Sequence, residues 1–285
     1  MKRYRWLQGL YVTLLSFLVI IAIMLVFSLI GTMLELEEES DAGQVYSYIW
    51  MAVSLLGGSL CILLCKRPPH DDLIRQLPPN RKLSAGMLLT ALLTGICFSF
   101  WVQITLTLVR YGHIPPDNHL TGLSVSLSDS GYPFAKIWLS PFFLFKAFVS
   151  CICFPIYEEL TCRGVLFSSF RTDRQCMAAA IISSAIFAVL HLDLYRIPDT
   201  FLFGLLLCLT VKRTDSLLMP LLSHFGFNLV AAVTGQMVHR SMLYRAPALC
   251  IAAALTLLAA FLLIRCLKKQ PPLPEPILQE EHIAI

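Results

Sequence analysis

Charge is what this chain has least of. Aspartate, glutamate, lysine and arginine make up 14% of its 285 residues, where a soluble domain carries about 25%. Hydrophobic residues make up 57%, so a soluble reading would need many wholly buried helices in one small domain, and we set it aside. The scarcity is also uneven. Residues 10–34 hold no charge at all, and about twenty apolar residues in one run suffice for a helix to cross roughly 30 Å of hydrocarbon. No small-residue cleavage site follows that run, which is too long for the apolar region of a signal peptide. Glu35, Glu37, Glu38, Glu39 and Asp41 follow instead, so the run reads as a retained first span. Other absences narrow the function. The net charge of +4 sits in loops and implies no nucleic-acid partner. Cys61 with Cys65, and Cys151 with Cys153, lack the matching second pair of a zinc ribbon and read as small buried hydrophobes. There is no His-Glu-x-x-His motif and no internal repeat.

What is present is a series of apolar blocks. They predict an all-α, polytopic transmembrane bundle of about eight spans, near 10–34, 46–65, 84–109, 137–160, 176–194, 199–211, 216–238 and 246–265. Three regions follow from them: an N-terminal helical pair with a cytoplasmic connector (1–83), a membrane core (84–269) and a disordered C-terminal tail (270–285). The connector, 66–83, carries Pro68, Pro69, Pro78 and Pro79, and the tail carries Pro271, Pro272, Pro274 and Pro276. Residues 111–135 read as a structured outer loop. Basic residues recur on alternate sides, among them Arg3 and Arg5, Lys66 and Arg67, Arg171 and Arg174, Lys212 and Arg213, and Lys268 and Lys269. By the positive-inside rule both termini are cytoplasmic. Arg110, Arg196, Arg240 and Arg245 fall on the outer side and weaken the pattern without reversing it. The sixth span is short, so either neighbouring helices shield it or the membrane thins around it.

Ionisable groups deep in a membrane are costly and persist where they pair, face a bundle interior or do chemistry. Three clusters stand out. In Glu158-Glu159-Leu160-Thr161-Cys162-Arg163, residues 159 and 163 share a helical face and can pair. Glu158 is rotated by about 100° from Glu159 and is free to point elsewhere. Pro155 removes a backbone donor and can kink the helix. A charged cap at the cytoplasmic end of the span accounts for this cluster equally well. Phe187 and His191, four apart, share a face of the fifth span, where a histidine is often only a hydrogen-bonded core residue. His224 and Asn228, also four apart on one side of the seventh span, fit a structural interhelical hydrogen bond. Gly226 between them leaves room for close helix approach. Lys136 reads as snorkelling to the outer interface, and Lys146 sits mid-span without a partner legible in the sequence.

Together the clusters supply a free carboxylate, two imidazoles and a carboxamide on three helices. A carboxylate beside an imidazole can take a proton from water and make it nucleophilic. His224 and Asn228 could donate hydrogen bonds to a developing oxyanion. Those are the parts needed to hydrolyse an amide without a serine or cysteine nucleophile.

In order and spacing, Glu-Glu-x-x-x-Arg, Phe-x-x-x-His and His-x-x-x-Asn resemble the CAAX-protease and bacteriocin-processing family, also called Abi, which includes the type II CAAX prenyl endopeptidases. The resemblance covers roughly residues 137–240. It implies an eight-helix intramembrane protease with its cavity open to the cytosol. Glu158 would be the water-activating glutamate and His191 its partner. His224 and Asn228 would stabilise the oxyanion, with Glu159 and Arg163 in support and Phe187 beside His191. It further implies a metal-independent glutamate mechanism; zinc stays an alternative, with too few ligands left if His224 and Asn228 serve the oxyanion. An aromatic residue usually precedes the arginine where this chain has Cys162, which affects packing. No obvious base stands beside Cys162 to make it a nucleophile. The expected protein is an integral, multi-pass protein of a bacterial cell membrane. Its partners are membrane lipid and a peptide or protein substrate, of bacteriocin or signalling type. A non-catalytic immunity or scaffold protein and a proton-relaying transporter are the other readings.

Overall fold

The structure, a computed structural model, describes residues 5–36, 41–65, 83–111, 141–170, 176–234 and 246–268. Among the described residues there are eight helices and no strand: α1 Arg5–Met33, α2 Asp41–Leu64, α3 Ala85–Tyr111, α4 Pro141–Phe170, α5 Cys176–Val189, α6 Ile197–Thr214, α7 Leu218–Thr234 and α8 Ala246–Lys268. The all-α expectation of about eight elements therefore stands. Four helices are long and apolar enough to cross a membrane, over Arg5–Met33, Ala42–Leu64, Ala85–Thr105 and Cys250–Lys268. The connector prolines, the outer loop from residue 112, Lys136 and the C-terminal tail lie outside the described residues.

Helix α1 is apolar all round, and only Gly9, Val12, Thr13 and Ser16 are buried. A helix of that composition with so little protein cover presents its remaining surface to lipid. It leans on α4, where Gly9 lies against Ser169 and the Ser16 and Tyr157 hydroxyls are 3.2 Å apart. Tyr46 of α2 donates to the Phe27 carbonyl of α1 at 2.6 Å.

The fourth helix departs from expectation. It does not stop near residue 160 but continues to Phe170 through segments Leu160–Phe167 and Ser168–Phe170. Every residue from Leu160 to Phe167 is buried. The charged cluster thus lies inside the bundle, and the reading of it as a cytoplasmic cap is overturned. An apolar run too short to look like another span carries the helix on, and its one charge, Arg163, is paired with Glu159. Two stretches of α4, Val149–Cys153 and Leu160–Phe167, are wound as π-helix. Such turns leave carbonyls poorly matched to amides, and serine hydroxyls reach several of them. Ser168 Oγ donates to Arg163 O at 3.1 Å, Ser169 Oγ to Val165 O at 2.6 Å, and Ser183 Oγ of α5 to Cys162 O at 2.7 Å.

Helix α5 ends at Val189, before His191, because the chain turns there; Leu192 is left-handed at φ 50°. Helix α6 opens with Pro198 in its first turn and closes on Asp215, also left-handed at φ 50°, whose N–H reaches the Val211 carbonyl. Lys212 and Arg213 in its last turn complement the helix dipole. Its short apolar run is shielded by neighbours. Phe203, Gly204, Leu207, Cys208 and Val211 are buried, and a Cβ on Gly204 would stand 2.9 Å from the Ser184 side chain.

Small residues bring α3 and α7 together, as in membrane helix pairs generally. A Cβ on Gly95 would overlap the Ser223 carbonyl, and one on Gly226 would come within 2.6 Å of the Leu92 carbonyl. Ser223 Oγ donates to Ala91 O at 2.8 Å. Helix α8 joins the other side of α3, with Thr256 Oγ1 donating to Cys97 O at 2.9 Å. This seam sets the position of α7 and hence of His224. Gly95→Ala should therefore lower stability by about 1–3 kcal/mol through overpacking. Gly86→Ala, whose Cβ would meet only Ser84 Oγ at 3.9 Å, should be neutral or slightly stabilising. Thermal unfolding of both variants in detergent checks the contrast.

Candidate active site

The site is anchored by one buried ion pair. Arg163 Nη1 donates to Glu159 Oε1 at 2.9 Å, and both side chains are 0% exposed. Their i, i+4 spacing on α4 is the one the sequence suggested. Arg163 also reaches two other helices. Its guanidinium lies 4.3 Å from the centre of the Phe187 ring on α5, and Nη2 is 3.4 Å from the Gly204 carbonyl on α6.

His224 of α7 stands between both glutamates. Nδ1 is 2.8 Å from Glu159 Oε1, and Nε2 is 3.3 Å from Glu158 Oε2. The rings of Phe187 and Phe203 meet it edge-on, with centroids at 5.8 and 5.9 Å. A neutral imidazole has one N–H, yet here each ring nitrogen faces a carboxylate oxygen. Either nitrogen that carries a proton therefore has a carboxylate to donate to. The Arg163 guanidinium beside Glu159 limits the cost of burying that carboxylate. Glu158 is the member of this set open to solvent, with 24% of its side chain exposed. The two glutamates diverge as expected but meet again on opposite edges of one imidazole.

The structure distributes the other residues differently from the expected pairing. His191, expected beside Glu158, sits in the turn after α5. Its Nδ1 donates to the Phe187 carbonyl at 2.8 Å, and its ring packs on Phe187 at 4.9 Å. Neither a hydrogen bond nor an ion pair joins His191 to Glu158 among the described residues. With Nδ1 donating, Nε2 makes no hydrogen bond among the described residues. Asn228 Nδ2 donates to the Ser150 carbonyl of α4 at 2.8 Å. Phe187 thus links both imidazoles and Arg163, while Phe203, Gly204 and Ser150 enter the site unforeseen. Only the position of Pro155, five residues beyond Ser150, hinted at the last.

Lys146, for which the sequence offered no partner, has its Nζ 5.8 Å from the centre of the Tyr48 ring. Thr105 makes an interhelical bond to Asp199 Oδ2 at 3.2 Å. Cys162 is buried. Among the described residues no three His, Cys, Asp or Glu side chains converge as metal ligands, and both nitrogens of His224 already face carboxylates.

Residues 140–230 match the family model described as type II CAAX prenyl endopeptidase Rce1-like. The segment that builds the site is similar to that family. The match runs from the start of α4 into α7 and includes every residue of the cluster. Over 231 residues the chain is 22% identical to "Putative membrane peptidase YdiL" of Bacillus subtilis (strain 168), covering 80% of this chain and 87% of that one. No solved structure matches the chain significantly.

The ion pair makes a quantitative demand on the Rce1-like segment. Arg163→Met leaves a wholly buried carboxylate without its cation and should destabilise the protein by about 3–5 kcal/mol. Pairing it with Glu159→Gln should recover a large part of that loss, so the two changes are far from additive. Chemical denaturation of the two single variants and the double variant measures the coupling.

Proposed function

We propose that this integral membrane protein is an intramembrane endopeptidase in which Glu158 activates the attacking water. The observation that carries this reading is the His224 imidazole held between a solvent-reachable Glu158 and a wholly buried Glu159. Glu158 takes a proton from water as the oxygen attacks the scissile carbonyl. The resulting oxyanion accepts hydrogen bonds from His224 and from the second N–H of Asn228. The C–N bond then breaks, and the leaving amine takes the proton held by Glu158. Glu159 and Arg163 fix His224 from the buried side. His191 packs on Phe187, whose ring faces His224, and so steadies that side of the site. No zinc ion is needed in this scheme.

The substrate is a small peptide or prepeptide of bacteriocin or signalling type, reached from the cytosol or the inner leaflet of a bacterial cell membrane. The alternation of basic residues supports cytoplasmic termini. Likeness to a Bacillus protein named as a peptidase supports a bacterial setting and a peptide substrate.

Comparing the peptides of cells carrying wild-type protein with those carrying Glu158→Gln should reveal a precursor that accumulates only in the variant. On that precursor, purified Glu158→Ala and His224→Ala should each lose about 100-fold or more of the cleavage rate. Undiminished cleavage by both would overturn the assignment. Full complementation of cells by Glu158→Gln would instead favour the immunity or scaffold reading.

A further inference from the structure

Helix α4 contains a carbonyl that its own backbone leaves unpaired. In the π-wound turn Val149–Cys153, the amide of Phe154 donates to the Val149 carbonyl, five residues back. The next carbonyl, Ser150, would take the amide of residue 155. That residue is Pro155, which has no N–H to give. A partly buried carbonyl without a donor is costly, so its partner comes from elsewhere. The partner is Asn228, whose Nδ2 donates to Ser150 O at 2.8 Å from α7.

Resting on the endopeptidase reading above, we propose that Asn228 is a positioning residue: it replaces the amide that Pro155 lacks and pins the π-turn of α4 to α7, fixing Glu158 against His224. The same two helices are joined at a second rung by His224 with Glu158 and Glu159. On α4 Ser150 precedes Glu158, whereas on α7 Asn228 follows His224, as two rungs between antiparallel helices require. The lower rung holds charged groups that must keep their spacing while a proton moves. The upper rung is neutral and takes no part in proton transfer, so it can hold the register throughout. Its strength comes from a deliberate mismatch between proline and π-turn. A regular α-helix at this point would give Ser150 its own amide and leave Asn228 nothing to hold.

A double-variant cycle tests this. Asn228→Ala alone should lower the apparent melting temperature in detergent by about 2–4 °C, the effect of one partly buried hydrogen bond in a chain of this size. Asn228→Asp, which turns an oxygen towards the carbonyl, should lower it further. In a Pro155→Ala background the backbone amide is restored, and Asn228→Ala should then cost less than half as much. On the precursor that accumulates with Glu158→Gln, Pro155→Ala alone should lower kcat with KM little changed, because a Ser150 carbonyl served by its own helix no longer holds Asn228, and adding Pro155→Ala to Asn228→Ala should not rescue kcat. Equal thermal cost in both backgrounds, or an unchanged kcat in Pro155→Ala, would overturn the positioning role and leave Asn228 as an oxyanion donor alone. The thermal arm needs no substrate. Coupling there with no peptide cleaved by the wild type would keep the clamp and reject the protease reading.

Discussion

A wholly buried carboxylate cannot stand alone in a membrane bundle, and Glu159 is one. Its ionised form is tolerable only because Arg163 lies one turn along and His224 faces it from another helix. Each compensating group brings its own element. Arg163 ties α4 to the Phe187 ring of α5 and the Gly204 carbonyl of α6. His224 ties α4 to α7. The convergence of four helices on one point is thus the consequence of neutralising a single charge. Attractions in such a low-dielectric interior are strong, and so is the penalty for leaving any partner unmatched. Helix order around the site follows from that penalty more than from apolar contact, since lipid solvates leucine as well as another helix does.

Apolar and small residues then decide how close those helices come. Gly95 and Gly226 let α3 and α7 approach until backbone meets backbone, and Ser223 seals the seam to Ala91. A bulkier seam would shift α7 sideways by a fraction of an ångström or more, enough to take His224 Nε2 out of range of Glu158. The π-wound stretches of α4 work in the same direction. They rotate Glu158 and Glu159 relative to the rest of the helix, so that two neighbours about 100° apart on a regular helix can reach opposite edges of one ring.

Much of this was legible in the residues, and the part that was not has a definable cause. Hydrophobic blocks located eight helices, since lipid imposes a length on each. Spacing of four located the Glu159–Arg163 pair, because both members ride one helix and their geometry is local. Gly226 signalled close approach correctly. What spacing on single helices could not supply was the choice of partner between helices. Glu158 faces His224, and His191 reaches the cluster only through Phe187. That choice depends on where α5 ends, on the π-turns and on the glycine seam, none of which has a period in the sequence. The length of α4 was misread because charge inside a helix looks like charge at its end until its partners are known.

The division of labour among the helices completes the argument. The helices long and apolar enough to span, α1, α2, α3 and α8, supply only neighbours to the site, whereas all its named groups ride on α4 to α7. Helix α5 has 14 residues, a rise of about 21 Å, short of the roughly 30 Å of hydrocarbon. Backbone that leaves the helix at the depth of the hydrocarbon is stable only against protein or lining a wet cavity. On the endopeptidase reading we propose, such a cavity would admit the water, and the short α5 and the exposed Glu158 would serve one requirement: water reaching a carboxylate whose partners Glu159 and Arg163 stay buried.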